Sequence, residues 1–113
     1  MKKIEAIIRR EKLDAVKKAL DAIKTPGITM YEVLGHGKQK GITEQFRGRE
    51  FRVDFLPKTK IEVVVEDSHL RSTLDAILKA AATGQVGDGK IFVSTIDDVI
   101  RVRTGESGAL AVA

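Results

Sequence analysis

An α+β sandwich in the order β-α-β-β-α-β, with an antiparallel sheet carrying both helices on one face, is the fold this sequence predicts. Three observations lead there. Shifting the chain by 57 residues lays Lys3-Ile4-Glu5 on Lys60-Ile61-Glu62, Ala6-Ile7-Ile8 on Val63-Val64-Val65, Leu13 on Leu70, Ala19 on Ala76 and Leu20 on Ile77. Each half then reads strand–helix–strand. Between the halves, Gly35 to Lys58 forms a long loop whose first part has neither helical nor strand period. Two such halves in tandem make the ferredoxin-like arrangement, with the long loop between strands two and three.

The elements follow in order. Lys3 to Ile8 is a strand, apolar on both faces toward its end and so central. Arg10 to Lys24 is a helix with Leu13, Val16, Leu20 and Ile23 on one stripe. Thr25-Pro26-Gly27 stops it, because proline cannot continue a helix and glycine tolerates left-handed geometry. Ile28 to Gly35 is a second strand. Lys60 to Glu66 is a third. Asp67 or Ser68 is placed to cap a second helix whose stripe is Leu70, Leu74, Ile77, Leu78 and Ala81, ended by Thr83-Gly84. Ile91 to Ser94 is a fourth strand, Val99 to Val102 a short extended segment, and Gly105 to Ala113 a small-residue tail expected to be mobile. Both helices on one face leave the other bare. Ala6 or Ile7, Val64 and Phe92 alternate onto it, and an apolar face of that size calls for a partner surface, most economically a closed homo-oligomer.

The totals bound the function. A chain of 113 residues, 42% hydrophobic and 32% charged, makes one globular domain. Without cysteine there is no disulfide framework and no thiolate chemistry, and a cytoplasmic location is the simplest reading. Glu5 and Arg9-Arg10-Glu11 arrive too soon for a signal peptide, and no apolar run reaches a membrane span of about 18 residues. A net charge of +4 permits nucleic-acid binding, but no paired sheet-face aromatics of the RNA-binding kind occur, so no nucleic-acid partner is expected. Most of the excess charge sits in the long loop: Lys38, Lys40, Arg47, Arg49, Arg52 and Lys58 outnumber Glu44, Glu50 and Asp54, giving +3 of the +4. A small body holding out a basic, glycine-hinged arm over 37–55 suggests a recognition device. Within it, Glu50 to Phe55 alternates charged and apolar residues; it reads as an exposed ribbon extending strand three, or as a locally packed hairpin.

The sharpest chemical signal is Thr83-Gly84-Gln85-Val86-Gly87-Asp88-Gly89-Lys90. Three glycines let backbone amides converge on an anion and Lys90 adds a point charge. The Walker pattern fails here, because Ile91 replaces the magnesium-binding hydroxyl and the loop runs from helix to strand. A phosphate cradle of another kind remains; the plain alternative is a helix-to-strand turn. Arg101 and Arg103, two apart on an extended segment, point both guanidiniums one way, so that two forks and Lys90 can hold a triphosphate. Enzymatic chemistry has little to stand on. His36 and His69 lie on different elements and read as solvated or structural, as do Asp97-Asp98, and no metal-ligand spacing occurs. Glu62, on a mostly apolar strand, can accept ribose hydroxyls or simply face outward.

Taken together, Gly35-His36-Gly37, Gln39-Lys40-Gly41, Phe46-Arg47-Gly48, Val53 to Lys58, Thr83-Gly84, Gly87 to Val93 and Arg101 to Gly105 resemble the motifs of the PII signal-transduction family, nitrogen and carbon status sensors. The likeness spans essentially the whole chain. It implies a homotrimer with ATP or ADP bound competitively in each cleft between subunits, and no catalytic residues. By that resemblance Gly87, Asp88, Gly89, Lys90, Arg101 and Arg103 hold phosphates, Thr29, Glu62 and Val64 meet the nucleoside, and Gly35, Gly37 and Lys38 close over it. With Mg2+ and ATP in place, 2-oxoglutarate chelates the metal beside Gln39, Lys58 pairs its distal carboxylate, and Lys40, Gly41 and Val86 complete the pocket. The arm then engages an ammonium channel or a nitrogen-metabolism enzyme or regulator, so a membrane is met only through a channel partner.

Three departures stand out. Phe51 occupies the loop-tip position where nucleotidylated members carry Tyr, and Arg49 stands where the phosphorylated subgroup has Ser, so neither modification is expected. Arg10 replaces a Pro that usually opens the first helix. The competing reading is a ferredoxin-like nucleotide-hydrolysing or transferring enzyme, which needs a general base near Lys90; Asp88 and Glu62 are its only candidates.

Overall fold

Period-two alternation builds the sheet. In the computed structural model, which describes residues 1–37, 42–46, 49–53 and 55–113 (those of 42–53 by backbone alone), β1 (Lys2–Arg9) buries Ile4, Ala6 and Ile8. Its antiparallel neighbour β5 (Leu56–Val65) buries Ile61, Val63 and Val65 beside them. With β2 (Thr29–Gly35) and β6 (Gly89–Thr95) on the edges, the strand order is β2-β5-β1-β6, antiparallel throughout, which is the ferredoxin-like topology.

Two helices cover one face. α1 (Leu13–Ala22) contributes Val16 and Leu20 to the core and α2 (Leu70–Ala81) contributes Ile77 and Ala81. The repeat is carried into the structure at residue level. A 3-10 turn at Arg10–Lys12 precedes α1 and another at Asp67–His69 precedes α2, 57 residues later. Val16 and Thr73 are equivalent and both buried, the threonine hydroxyl donating to the His69 carbonyl at 2.8 Å. The helix expected from Arg10 therefore starts with that tighter turn and ends at Ala22. Its terminator also differs from expectation. The left-handed residue is Lys24 (φ 56), while Gly27 has no positive φ. Lys24 N–H donates to Asp21 O at 3.0 Å and Thr25 N–H to Leu20 O at 3.1 Å, a Schellman closure. Neither Asp67 nor Ser68 caps α2; the Asp67 carboxylate instead takes the Met1 amino group at 3.0 Å, which holds it below the usual carboxylate range.

The long connection is also more regular than its composition suggests. β5 starts at Leu56 rather than Lys60, because β2 pairs along it as far as Gly35 opposite Leu56. Inside the connection, β3 (Ile42–Phe46) and β4 (Arg49–Val53) pair as a separate two-stranded antiparallel ribbon, so Arg49–Val53 is a hairpin strand and not an extension of β5. Lys38, Gln39, Lys40 and Gly41, on which the metal and 2-oxoglutarate expectations partly rest, lie outside the described residues, as does the Phe51 side chain.

The bare sheet face is not simply apolar. Ala6 belongs to the core, and Ile7 takes the outer position with half-exposed Phe92. At its centre Lys3, Glu5, Lys60 and Glu62 form a closed quartet: Lys3 Nζ lies 3.0 Å from Glu5 and 3.6 Å from Glu62, and Lys60 Nζ 3.2 Å from Glu62 and 3.8 Å from Glu5. The Lys3 hydrogen bond holds the Glu5 carboxyl below its ordinary range, and Glu5 in turn raises Lys3.

The C-terminal segment is folded, against the expectation of a mobile tail. Ile100 and Ser107 form a bridge, Ala109–Val112 make a single helical turn, α3, and Val112 is buried. Among the described residues no helix is long and apolar enough to cross a membrane.

Candidate functional site

The connector from α2 to β6, residues 82–88, is shaped by one carboxylate. Asp88 Oδ2 accepts Thr83 N–H at 2.8 Å and Gly84 N–H at 2.9 Å, and Oδ1 accepts the Thr83 hydroxyl and Arg9 Nε, the latter at 2.9 Å. The Thr83 hydroxyl and amide, then Arg9, then Gly84, hold the Asp88 carboxyl far below the usual carboxylate range. Every lone pair it offers is taken by its own loop or by Arg9 of β1. Asp88 is thus the scaffold of the cradle, with no lone pair left to meet a ligand, and a carboxyl so tied to its ionised form is a poor general base. The enzyme reading loses one of its two candidates here. Glu62 is the other, and both its oxygens are engaged by Lys3 and Lys60.

Glycines do the rest. Gly84, Gly87 and Gly89 all have positive φ (84, 105 and 100°). At Gly89 the need is absolute, since a Cβ there would overlap the Ile7 carbonyl oxygen. The carbonyls of Val86 and Gly87 are turned toward the sheet, where Arg9 Nη2 and Lys58 Nζ donate to them, each at 2.8 Å. In a trans peptide N–H opposes C=O, so the Gly87 amide points away from Arg9. Among the described residues the amides of Val86 and Gly87 have no partner, and Lys90 makes no ion pair. Two open amides and a free ammonium are a donor set suited to phosphate oxygens.

These groups border a cavity of about 420 Å³ lined by Ile7, Gly35, His36, Gly37, Leu56, Lys58, Phe92 and the whole run from Gln85 to Lys90. The structure therefore brings together Gly35, Gly37, Lys58, Val86, Gly87, Asp88, Gly89 and Lys90 from the expected set. The Arg9–Lys58 cross-strand pair puts two cations at the foot of the loop. Burial first, and the Arg9 charge second, push the Lys58 ammonium below its ordinary value. Arg9 was not foreseen from the sequence. The signal was available: an arginine ending β1 must stand beside the start of β6 once the two pair antiparallel.

Thr29, Glu62 and Val64 share the open sheet face, with Thr29 opposite Glu62, but do not line this cavity. Arg101 and Arg103 do not line it either. The expectation that both guanidiniums point one way from an extended segment fails. Residues 102–104 form a turn, closed by Gly105 N–H on Arg101 O at 2.8 Å, and Arg101 folds back onto its own C-terminal segment. Arg103 is exposed and makes no ion pair among the described residues. Among those residues no group of acids or histidines is placed to hold a metal.

Comparison with known proteins places this geometry in context. Residues 1–106 match the family model described as nitrogen regulatory protein P-II. The chain is 57% identical to nitrogen regulatory protein P-II 2 of Methanothermobacter thermautotrophicus over 112 residues, 99% of this chain and 97% of that one. It is 59% identical to nitrogen regulatory protein P-II of Mesorhizobium japonicum, covering 99% and 100%. The crystal structure of Arabidopsis thaliana PII bound to citrate superposes with a TM-score of 0.80 at 39% identity, over 98% of this chain and 88% of that one. The family and these relatives are named as regulatory proteins and not as enzymes.

Proposed function

The chain belongs to the nitrogen regulatory protein P-II family, and on that premise we propose that it senses ATP, ADP and 2-oxoglutarate and controls partner proteins through its 37–55 segment. The observation that carries this reading is the 82–90 cradle: a loop held in shape by Asp88, with open amides at Val86 and Gly87 and with Lys90 and Lys58 at its rim. Its donors suit a polyphosphate. The cationic corner of Arg9 and Lys58 suits a small polycarboxylate, which is also the chemistry of the citrate bound to the Arabidopsis relative.

One subunit supplies half of such a site. The homotrimer would complete it by bringing a second chain's C-terminal segment, with Arg101 and Arg103, and its open sheet face toward the cradle. Phosphates would lie against Gly87, Gly89 and Lys90; the nucleoside would reach Thr29, Glu62 and Val64; Gly35, Gly37 and Lys38 would close over it. Mg2+ would join ATP to 2-oxoglutarate beside Gln39, with Lys58 at the distal carboxylate and Lys40, Gly41 and Val86 around it. Because the ligands sit at the root of the connection that carries β3 and β4, their charge biases the shape offered to an ammonium channel or to a nitrogen-metabolism enzyme or regulator. A cytoplasmic location follows from that role. Phe51 lacks a hydroxyl, so signalling runs through ligands alone.

Titration calorimetry tests this directly. ATP and ADP should compete for one site per chain, and 2-oxoglutarate should bind tightly only with Mg2+ and ATP present. Absence of nucleotide binding to the assembled protein refutes the reading.

A further inference from the structure

The Arg101 guanidinium makes three hydrogen bonds, and its partners are all on its own C-terminal segment. Nη1 donates to the Glu106 carboxylate at 2.9 Å. Nη2 donates to the carbonyls of Leu110 and Ala113, both at 2.8 Å. The backbone reinforces the closure: Arg101 N–H reaches Glu106 O at 2.8 Å, and Gly108 N–H reaches Val99 O at 3.0 Å. Asp98 Oδ1 also accepts the Gly108 amide at 3.2 Å. The turn held this way keeps Val112 buried.

A guanidinium meets a phosphate two-pronged through either of two edges, Nη1 with Nη2 or Nε with Nη2. Both edges use Nη2, and both Nη2 hydrogens are already given to carbonyls. Arg101 can therefore grip a phosphate with a fork only by letting go of Leu110 and Ala113. We infer that Arg101 is a latch that the C-terminal segment and a polyphosphate compete for, so that phosphate binding releases residues 109–113 and exposes Val112. This inference rests on the nucleotide-binding reading above and adds to it a second surface, at the C-terminus, whose shape reports occupancy independently of the 37–55 segment. Glu106 is the competitor's charge. Its carboxylate is a tethered substitute for a phosphate oxygen, and weakening it should tilt the competition toward the ligand.

The test is hydrogen exchange by mass spectrometry on the assembled protein with and without saturating ATP, together with calorimetry on Glu106→Gln. ATP should speed exchange of the held amides in 109–113, Ala111 N–H on Gly108 O among them, by tenfold or more, on the order of what opening a local closed turn produces. Glu106→Gln should bind ATP about two- to fivefold more tightly, the range expected for losing one partly exposed ion pair. In Arg101→Lys, which has no planar fork, those amides should exchange fast from the start and ATP should change them no further. If ATP binds while exchange at 109–113 stays unchanged and Glu106→Gln keeps the parent affinity, the latch is refuted and the nucleotide-binding reading stands. If ATP does not bind, both fall.

Discussion

The two helix-to-strand connectors of this molecule occupy equivalent places in a duplicated fold, yet only one of them is built as a cradle beside a cavity. Residues 23–28 follow α1 and residues 82–88 follow α2. The first closes with a Schellman turn at Lys24, then Thr25-Pro26-Gly27 lead into β2. The second contains Asp88, which gathers three of its own loop's donors and Arg9 from β1. Helix starts and 3-10 turns are spaced by 57 residues, but β2 and β6 start 60 apart, at Thr29 and Gly89. Three added residues, two spent in a longer helix and one in the loop, separate a plain turn from a cradle. A loop with open donors arises here from a small departure in a repeat whose remaining positions keep making core.

The largest effect that would break this contrast is expected at the paired glycines. Gly89→Ala places a methyl on the Ile7 carbonyl at a positive φ, so β6 must leave β1 or the chain must refold locally. A loss of roughly 3–5 kcal/mol in unfolding free energy is expected, with ATP binding abolished. Gly27→Ala meets nothing within 4 Å and has no strained backbone, so its change should stay within about 0.5 kcal/mol. Chemical denaturation of both variants checks the pair; equal losses would mean the connectors are not different in kind.

A smaller effect, confined to the cradle, is expected for Asp88→Asn. The amide can replace one acceptor but offers a donor where either Arg9 or the Thr83 amide needs a lone pair. ATP affinity should fall at least about tenfold, as for loss of an interaction to a charged group. Arg9→Gln should cost less, and the double variant should be no worse than Asp88→Asn alone, because both act through one loop shape. The pH dependence has a definite sign. Asp88 titrates lower in the folded chain than the value of about 4 it has unfolded. Its stabilisation is therefore complete above about pH 4 and is lost as pH falls through the lower folded value. The melting-temperature gap between the parent and Asp88→Asn should be constant from pH 8 to 5 and close below pH 4. A gap that closes already near pH 6 would show that another group controls the loop.

Why the fold was legible and the site only half so follows from these same residues. Strand alternation and helix stripes are properties of neighbours in sequence, so the repeat, the topology and the core positions Val16, Leu20 and Ile77 could be read directly, while the first strand's facing stayed open between Ala6 and Ile7. The glycine loop was legible as an anion cradle because glycine and lysine reveal backbone needs and charge locally. The role of Asp88 was not, since its partner Arg9 stands 79 positions away and meets it only through β1–β6 pairing. Arg101 and Arg103 were misread for a related reason. An alternating Arg-x-Arg implies a shared face only if the backbone is extended, and Gly105 (φ 73) turns it instead. Likewise Lys24, and not the nearby glycine, took the left-handed position, because closure of α1 fixes which residue that must be.

That last residue gives the smallest expected effect and the cleanest sharpening of the contrast. Lys24 holds φ 56 with a side chain that disfavours it. Glycine removes a cost of about 1–2 kcal/mol at such a position, offset in part by about 0.5–1 kcal/mol of extra freedom in the unfolded chain. Lys24→Gly should therefore gain about 0.5–1 kcal/mol, seen as a rise of a few degrees in melting temperature. The gain should leave ATP and 2-oxoglutarate binding untouched, since residues 23–28 border neither the cavity nor Arg101. The second connector offers no equivalent improvement: its left-handed positions are already glycine, and its carboxylate is already saturated. A change in ligand affinity from Lys24→Gly would mean the two connectors communicate through the sheet, and that the first is part of the sensor after all.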